Sequence, residues 1–193
     1  MYSPKYAIQN DPHENELVIQ ANPFATIVCR DEALHLPLIL EKNTLIGHMA
    51  RANEAWKTLS GTCALFIFHG PHHYVSPTFY GTENNVPTWN YISVHVKGMA
   101  QIREDEAFLK RALLLLSSKE DPSFDIERNI SGNQKLLASI VGLEIEIKDV
   151  FGKFKLAQSK PEAERANVIR KLEDIGTDQA NETARAMKKT LSR

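Results

Sequence analysis

Cysteine is scarce: Cys29 and Cys63 are the only two among 193 residues. Both sit in apolar runs, which excludes a disulfide-dense secreted scaffold and points to two reduced thiols in the core of a cytoplasmic protein. Long apolar runs are absent too. The run Ala112 to Leu116, for one, stops at Ser117, Ser118 and Lys119, and no run approaches the roughly 20 residues a membrane-crossing helix requires. Neither sign of charge dominates, because 23 Lys and Arg face 24 Asp and Glu for a net charge of -1. That carries no whole-chain signature of nucleic-acid binding, while leaving room for a local basic patch. The glycine-rich phosphate cradles GxGxxG and GxxxxGK[ST] do not occur, so an anionic ligand would be held by discrete Arg, Lys or His side chains. The opening stretch MYSPKYAIQNDPHENE is polar and partly acidic, unlike a signal peptide.

What is present is ordinary globular material, 42% hydrophobic and 24% charged, enough for one domain with a proper core. The first 20 residues suggest a helix or arm. Phe24–Cys29, His35–Leu40, Thr44–Met49 and Ala64–Phe68 are rich in apolar and β-branched residues and predict strands. Pro37 inside the second implies an edge position or a bulge. Ala50 to Leu59 predicts a short helix ending near Gly61. From Tyr91 to Ile102, Ile92, Val94 and Val96 alternate with Ser93, His95 and Lys97, and Gly98 suggests a β-bulge. Glu106–Leu116 and Asn133–Ser139 predict helices. Val141, Leu143, Ile145 and Ile147 mark a half-buried strand, with a turn at Asp149–Gly152 and a hairpin partner at Lys153–Ala157. Pro161 is placed to open a last helix, whose apolar side is Ala166, Ile169, Leu172 and Ile175, and the basic tail from Met187 to Arg193 is expected to fray. Six or seven strands with helices gathered toward the end indicate a mainly β protein, a β-barrel with added α-helices.

The segment from Phe66 to Val96, FIFHGPHHYVSPTFYGTENNVPTWNYISVHV, is the most unusual. Its interior spends rigid, polar-tipped aromatics on what predicts a long binding loop. His69, His72 and His73 form an HxxHH pattern, but no nearby Cys or carboxylate completes a metal set, so no metal site is expected. Ser76 lacks the flanking glycines of a hydrolase elbow. Arg51, following a strand and near a helix start, is the best-placed anion ligand, with a solvated surface arginine equally compatible. Trp89 suits a core corner or a stack on a flat ring.

Several strings together resemble a known family: HLPLIL (His35–Leu40), GHMARAN followed by Trp56, FHGPHHYVSPTFY (Phe68–Tyr80), VPTWNY with VHVKG (Val86–Gly98), and IVGLEIEI with GKFKLAQ (Ile140–Gln158). In this order they are similar to the PaiB-type family, described as FMN-binding negative transcriptional regulators. The resemblance implies an FMN-binding split β-barrel, residues 1–158 with an N-terminal arm, a helical extension over 159–193, and an intertwined homodimer with FMN between the subunits. Its implied cofactor contacts are His35, Pro37, Leu38, His48, Arg51, Tyr74, Ser76, Trp89, Asn90 and Lys160. Of these, the backbone of Pro37 and Leu38 would meet the ring edge, and Arg51 and His48 the phosphate. The family's usual SQNR is here Ala157-Gln158-Ser159-Lys160, with lysine for arginine. A flavin reductase or FMN-dependent oxidoreductase on the same barrel is the alternative, and haem a minor alternative to flavin. No helix-turn-helix signature marks the chain for direct DNA binding.

Overall fold

The computed structural model describes residues 3–131 and 134–191. Its elements run, in chain order, through a 3-10 turn (Lys5–Ala7), β1 (Ile8–Gln9), α1 (Pro12–Ala21), β2 (Phe24–Cys29), β3 (Glu32–Pro37), β4 (Ile39–Glu41), β5 (Thr44–Ala50), α2 (Ala55–Leu59) and β6 (Cys63–Val75). A second 3-10 turn (Pro77–Tyr80) precedes β7 (Thr88–Arg103), α3 (Glu106–Glu120), α4 (Ile126–Ser131), α5 (Gln134–Ala138), β8 (Ile140–Lys155), α6 (Glu162–Ile175) and α7 (Asp178–Lys189). The chain divides into two compact units, one of Met1–Asn15, His69–Val94 and Phe151–Arg193, the other of Glu16–Phe68 and His95–Val150.

The unit built from Glu16–Phe68 and His95–Val150 holds the strand order β3-β2-β6-β7-β8-β5-β4. Short turns explain its hairpins: β2 and β3 pair antiparallel from Phe24↔Pro37 to Cys29↔Glu32, around Arg30 in the left-handed region at φ 55°. β5 lies antiparallel to β8 from Thr44↔Glu146 to Ala50↔Ile140. The end of β3 returns to β5 at Pro37, because a Cβ on Gly47 of β5 would stand 3.0 Å from the Pro37 carbonyl and 2.7 Å from a Leu38 methyl. A glycine there lets the end of β3 lie against β5, and the sheet curls on itself. Inside lie Ile27, Leu38, Leu45, Phe66, Phe68, Leu143 and Ile145, all buried. α3 covers Ile46 with Phe108 and Ala112, while Leu109 packs with Ile130, Leu137 and Ile140.

The strands expected at Phe24–Cys29, Thr44–Met49 and Ala64–Phe68 lie within β2, β5 and β6, whereas the single strand expected over His35–Leu40 is two, β3 ending at Pro37 on an edge and β4 starting at Ile39, and the helix expected from Ala50 starts at Ala55. Further expectations are corrected. β6 and β7 are 13 and 16 residues long, so His69, His72, His73 and Tyr74 belong to a strand, and only residues 76–87 connect the two. β8 likewise runs unbroken through Asp149–Gly152, without a hairpin. Gly98 makes no bulge: positions 90, 92, 94, 96, 98 and 100 all remain buried in phase, and Gly98 serves close packing instead. Cys29 is buried but Cys63 is exposed.

The unit of Met1–Asn15, His69–Val94 and Phe151–Arg193 pairs β1 with β8 at Ile8↔Lys153 and Gln9↔Gly152. The last helix is two helices, parted at Gly176, whose φ of 74° is left-handed and favours glycine. Thr177 caps α7 through the Ala180 N–H. Val168, Ile169 and Leu172 form the buried side of α6, with Ile175 exposed. The tail is ordered through Thr190, which bonds Arg165, and Met187 is fully buried; Ser192 and Arg193 lie outside the described residues.

Helix α3 provides a pH prediction. Its N-cap Asp105 accepts the Phe108 N–H at 3.0 Å and Arg103 Nε at 3.0 Å. The backbone bond first, then Arg103, holds this carboxyl below the usual carboxylate range. A depressed carboxylate stabilises the fold above its ordinary pKa, about 4, and that contribution is lost as pH falls through the folded value. Asparagine is an equally good N-cap without the charge. The urea midpoint of Asp105→Asn is therefore expected to fall below wild type at pH 7 and to converge with it below about pH 4. A gap unchanged down to pH 3 would exclude the charge as its source.

Candidate functional site

In the larger unit the candidate residues are committed to the fold. His35 is exposed on β3, with its ring stacked 6.0 Å from Phe24. Leu38 is buried, and its N–H donates to the Pro23 carbonyl at 2.8 Å; Pro37 has no N–H to offer. His48, beside Gly47, is half-buried, and burial lowers its pKa, so it supplies a neutral imidazole at neutral pH. Arg51 donates through Nε to Ala138 O at 2.9 Å, through Nη2 to Ile140 O at 3.1 Å and through Nη1 to Glu104. Its backbone N–H reaches Ser139 O at 2.8 Å, and its carbonyl accepts the Trp56 indole N–H at 3.0 Å.

The other candidates share the smaller unit. Tyr74 meets Trp89 edge-on at 6.2 Å, with His72 on the same indole at 5.8 Å; Trp89 is 52% exposed and is no core corner. Ser76 caps the second 3-10 turn, accepting the Thr78 N–H at 3.3 Å. Asn90 is 1% exposed. Its amide donates to Met187 Sδ at 3.2 Å, and its Oδ1 has no partner among the described residues.

Asn90 and Lys160 open onto one recess with Tyr6, Tyr80, Val86, Thr88, Lys155, Ala157 and Ser159, a cavity of about 140 Å3 partly open to solvent. Its construction follows from the strands that end there. Alternation along β8 buries Gly152 and Phe154 and turns Lys155 the other way. Lys155 Nζ donates to Thr88 Oγ1 and to Trp89 O at 2.9 Å. Past the strand, Ala157 takes a left-handed φ of 62°. Gln158 braces that turn, accepting the Leu156 N–H at 2.7 Å and donating back to Phe154 O at 2.5 Å. The turn delivers Lys160, whose Nζ donates to Asn85 Oδ1 at 2.5 Å and lies 5.2 Å from the Tyr80 ring centre. Tyr80 is 2% exposed, and burial, then the charge of Glu164, raises its pKa.

FMN requires cations or donors for a dianionic phosphate and partners for its polyol hydroxyls and ring edge. The recess fits that demand: it has two ammonium groups, hydroxyls at Thr88 and Ser159, an unpaired buried acceptor at Asn90, and no carboxylate in its lining. Lys155, Thr88, Tyr6 and Tyr80 are additions the sequence reading missed. Lys155 was hidden by the expected hairpin; its period-2 position after Gly152 was the available signal.

Comparison with known proteins agrees with this architecture. Residues 1–149 match the family described as "Putative FMN-binding domain". The chain is 33% identical over 207 residues to the "Protease synthase and sporulation protein PAI 2" of Bacillus subtilis, covering 100% of this chain and 99% of that protein. The flavocytochrome Anf3 from Azotobacter vinelandii superposes with a TM-score of 0.66 at 17% identity, over 79% of this chain and 72% of that one. An FAD and haem binding protein from Mycobacterium smegmatis gives 0.60 at 16% identity, over 77% and 73%. At such identities the likeness is one of fold, the split barrel of flavoproteins. No helix among the described residues is long and apolar enough to cross a membrane. By the match over its first 149 residues and the end-to-end likeness to PAI 2, the chain belongs to the PaiB-type family of FMN-binding-domain proteins.

Proposed function

We propose that this protein is an FMN-binding negative transcriptional regulator that works as a cytoplasmic homodimer. The observation that carries the reading is the alignment with PAI 2 from end to end, 100% of one chain against 99% of the other. That alignment takes in the barrel strands and the two terminal helices of this chain alike. PAI 2 is named for protease synthesis and sporulation, and a regulatory role of that kind is proposed for this chain. The proposal keeps residues 1–158 as the barrel domain with its arm and 159–193 as a helical extension.

In this reading the backbone of Pro37 and Leu38 meets the flavin ring edge, and His35 and His48 are further proposed cofactor contacts. Tyr74, Ser76, Trp89 and Asn90 are proposed flavin contacts as well. Bound FMN would supply reversible one- and two-electron chemistry. The protein's part is to hold the ring, exclude water from it and couple its state to a partner. DNA need not be bound directly, since the exposed cations of α7, Lys188 and its neighbours, are partly matched by acidic groups such as Glu173.

The test is the absorption spectrum of purified protein before and after mixing with FMN and desalting. Flavin bands retained with a shifted shape are expected. Loss of all flavin on the column would overturn the cofactor, and a Soret band would replace it by haem. Steady NAD(P)H oxidation in the presence of FMN would replace the regulator by a flavin reductase.

A further inference from the structure

We infer that the recess between Lys155 and Lys160 is the phosphate subsite of the flavin, and that Arg51 is not its phosphate ligand. The inference rests on the flavin reading above and assigns the anionic end of the ligand to residues of one unit.

Lys155 and Lys160 line one recess, with a cavity volume of about 140 Å3, whose lining has no Asp or Glu. Neither lysine forms an ion pair among the described residues. Each ammonium has three N–H donors. Lys155 spends two, on Thr88 and the Trp89 carbonyl, and Lys160 spends one, on Asn85. Three donors remain, on two cations held in place by neutral groups. A tethered pair of like charges is unfavourable unless an anion joins it. A dianionic phosphate, with oxygens to accept from both sides, supplies that partner.

The second argument is the buried acceptor. Asn90 Oδ1 is enclosed and unpartnered, and leaving such an atom unpaired is costly. An anion that carries no hydrogen would not satisfy it, since an acceptor needs a donor. A ribityl hydroxyl, on the carbon next to the one that carries the flavin phosphate ester, is such a donor. The ligand that satisfies the whole recess is therefore a phosphate monoester of a polyol.

The third is the backbone. Ala157 holds a left-handed φ of 62° without being glycine, a conformation that persists only where its surroundings enforce it. Gln158 does so from both sides, and the Lys160 N–H closes the turn on Ala157 O at 2.9 Å. The strain sets Ser159 and Lys160 at the mouth of the recess. By contrast, every side-chain N of Arg51 already has a protein partner.

The experiment compares FMN with riboflavin, which lacks only the phosphate, by quenching of flavin fluorescence in wild type, Lys155→Met, Lys160→Met and the double variant. Thermal unfolding of each variant checks that the fold is kept; methionine preserves the unbranched stem. Each single change is expected to weaken FMN about tenfold and the double change about a hundredfold, as for loss of charge-assisted bonds, with riboflavin affinity changing less than about threefold. Inorganic phosphate should compete with FMN and not with riboflavin. FMN and riboflavin affinities falling together, or FMN unmoved in the double variant, would overturn the assignment. Wild type binding neither flavin would overturn the flavin reading and this assignment with it. Calorimetric titration with inorganic phosphate separates the two failures: heat with wild type and none with the double variant would keep the recess as an anion site for a different ligand.

Discussion

Gly98→Ala is expected to destabilise the protein by about 2 kcal/mol, although alanine is otherwise the mildest of changes and strands disfavour glycine. A Cβ at position 98 would stand 2.4 Å from Ile145 Cγ2, 3.1 Å from Glu146 O and 3.5 Å from Phe66 Cε2. Ile145 and Phe66 are themselves buried, at 0% and 1% exposure, so neither has solvent to retreat into. Overpacking of this kind costs about 1–3 kcal/mol, against about 0.4–1 kcal/mol gained by restricting the unfolded chain. The overpacking prevails. For a domain of this size the loss corresponds to a fall in Tm of about 4–8 °C. The mechanism has its own signature in a second substitution. Ile145→Leu removes the offending Cγ2 branch while keeping the volume, so Gly98→Ala/Ile145→Leu should be more stable than the sum of the two single changes implies. Urea unfolding of the four proteins checks this. Strict additivity would mean that the clash lies elsewhere.

The same glycine shows why parts of the fold were legible and parts were not. Patterns of period two and the turn residues between them located the cores of β2, β5, β6, β7 and β8, because they reflect burial on one face, which the residues carry themselves. Gly98 in a strand is ambiguous by the same logic: a bulge and a close approach both call for a missing side chain, and only the position of Ile145 decides. The stretch after Phe68 misled for a related reason. Pro71, His72, His73 and Tyr74 are unusual inside a strand, and their composition argues for a loop. Gly70 lies where a Cβ would come within 3.0 Å of Ile92, so the strand continues through packing that single-chain patterns do not encode. At Asp149–Gly152 a turn-like composition was overridden in the same manner, as β1 pairs across Gly152. For the site, the family strings led to Asn90 and Lys160. Lys155 and Tyr80 come to them only through three-dimensional proximity.

Arg51→Ala is expected to lower stability by about 2 kcal/mol and to leave flavin affinity within about threefold of wild type. The side chain joins the end of β5 to the segment where α5 gives way to β8: Nε and Nη2 donate to the carbonyls of Ala138 and Ile140 at 2.9 and 3.1 Å. Those are the last carbonyl of a short helix and the first of a strand, groups that lack a regular partner at such a junction. The Glu104 contact adds little, because both side chains are solvent-exposed, 38% and 57%, and exposed pairs contribute about 0–1 kcal/mol. Glu104→Ala should accordingly cost less than about 1 kcal/mol. Arg51→Lys should behave more like alanine than like arginine, since one ammonium does not reproduce a fork that spans two carbonyls and a carboxylate. Denaturant midpoints of the three variants, set beside their affinities for FMN well below their unfolding temperatures, separate a fold clamp from a phosphate ligand. Unchanged stability with FMN weakened a hundredfold would make Arg51 the ligand and return the phosphate to the end of β5. Lost stability with affinity intact leaves Lys155 and Lys160 as the cations able to hold it.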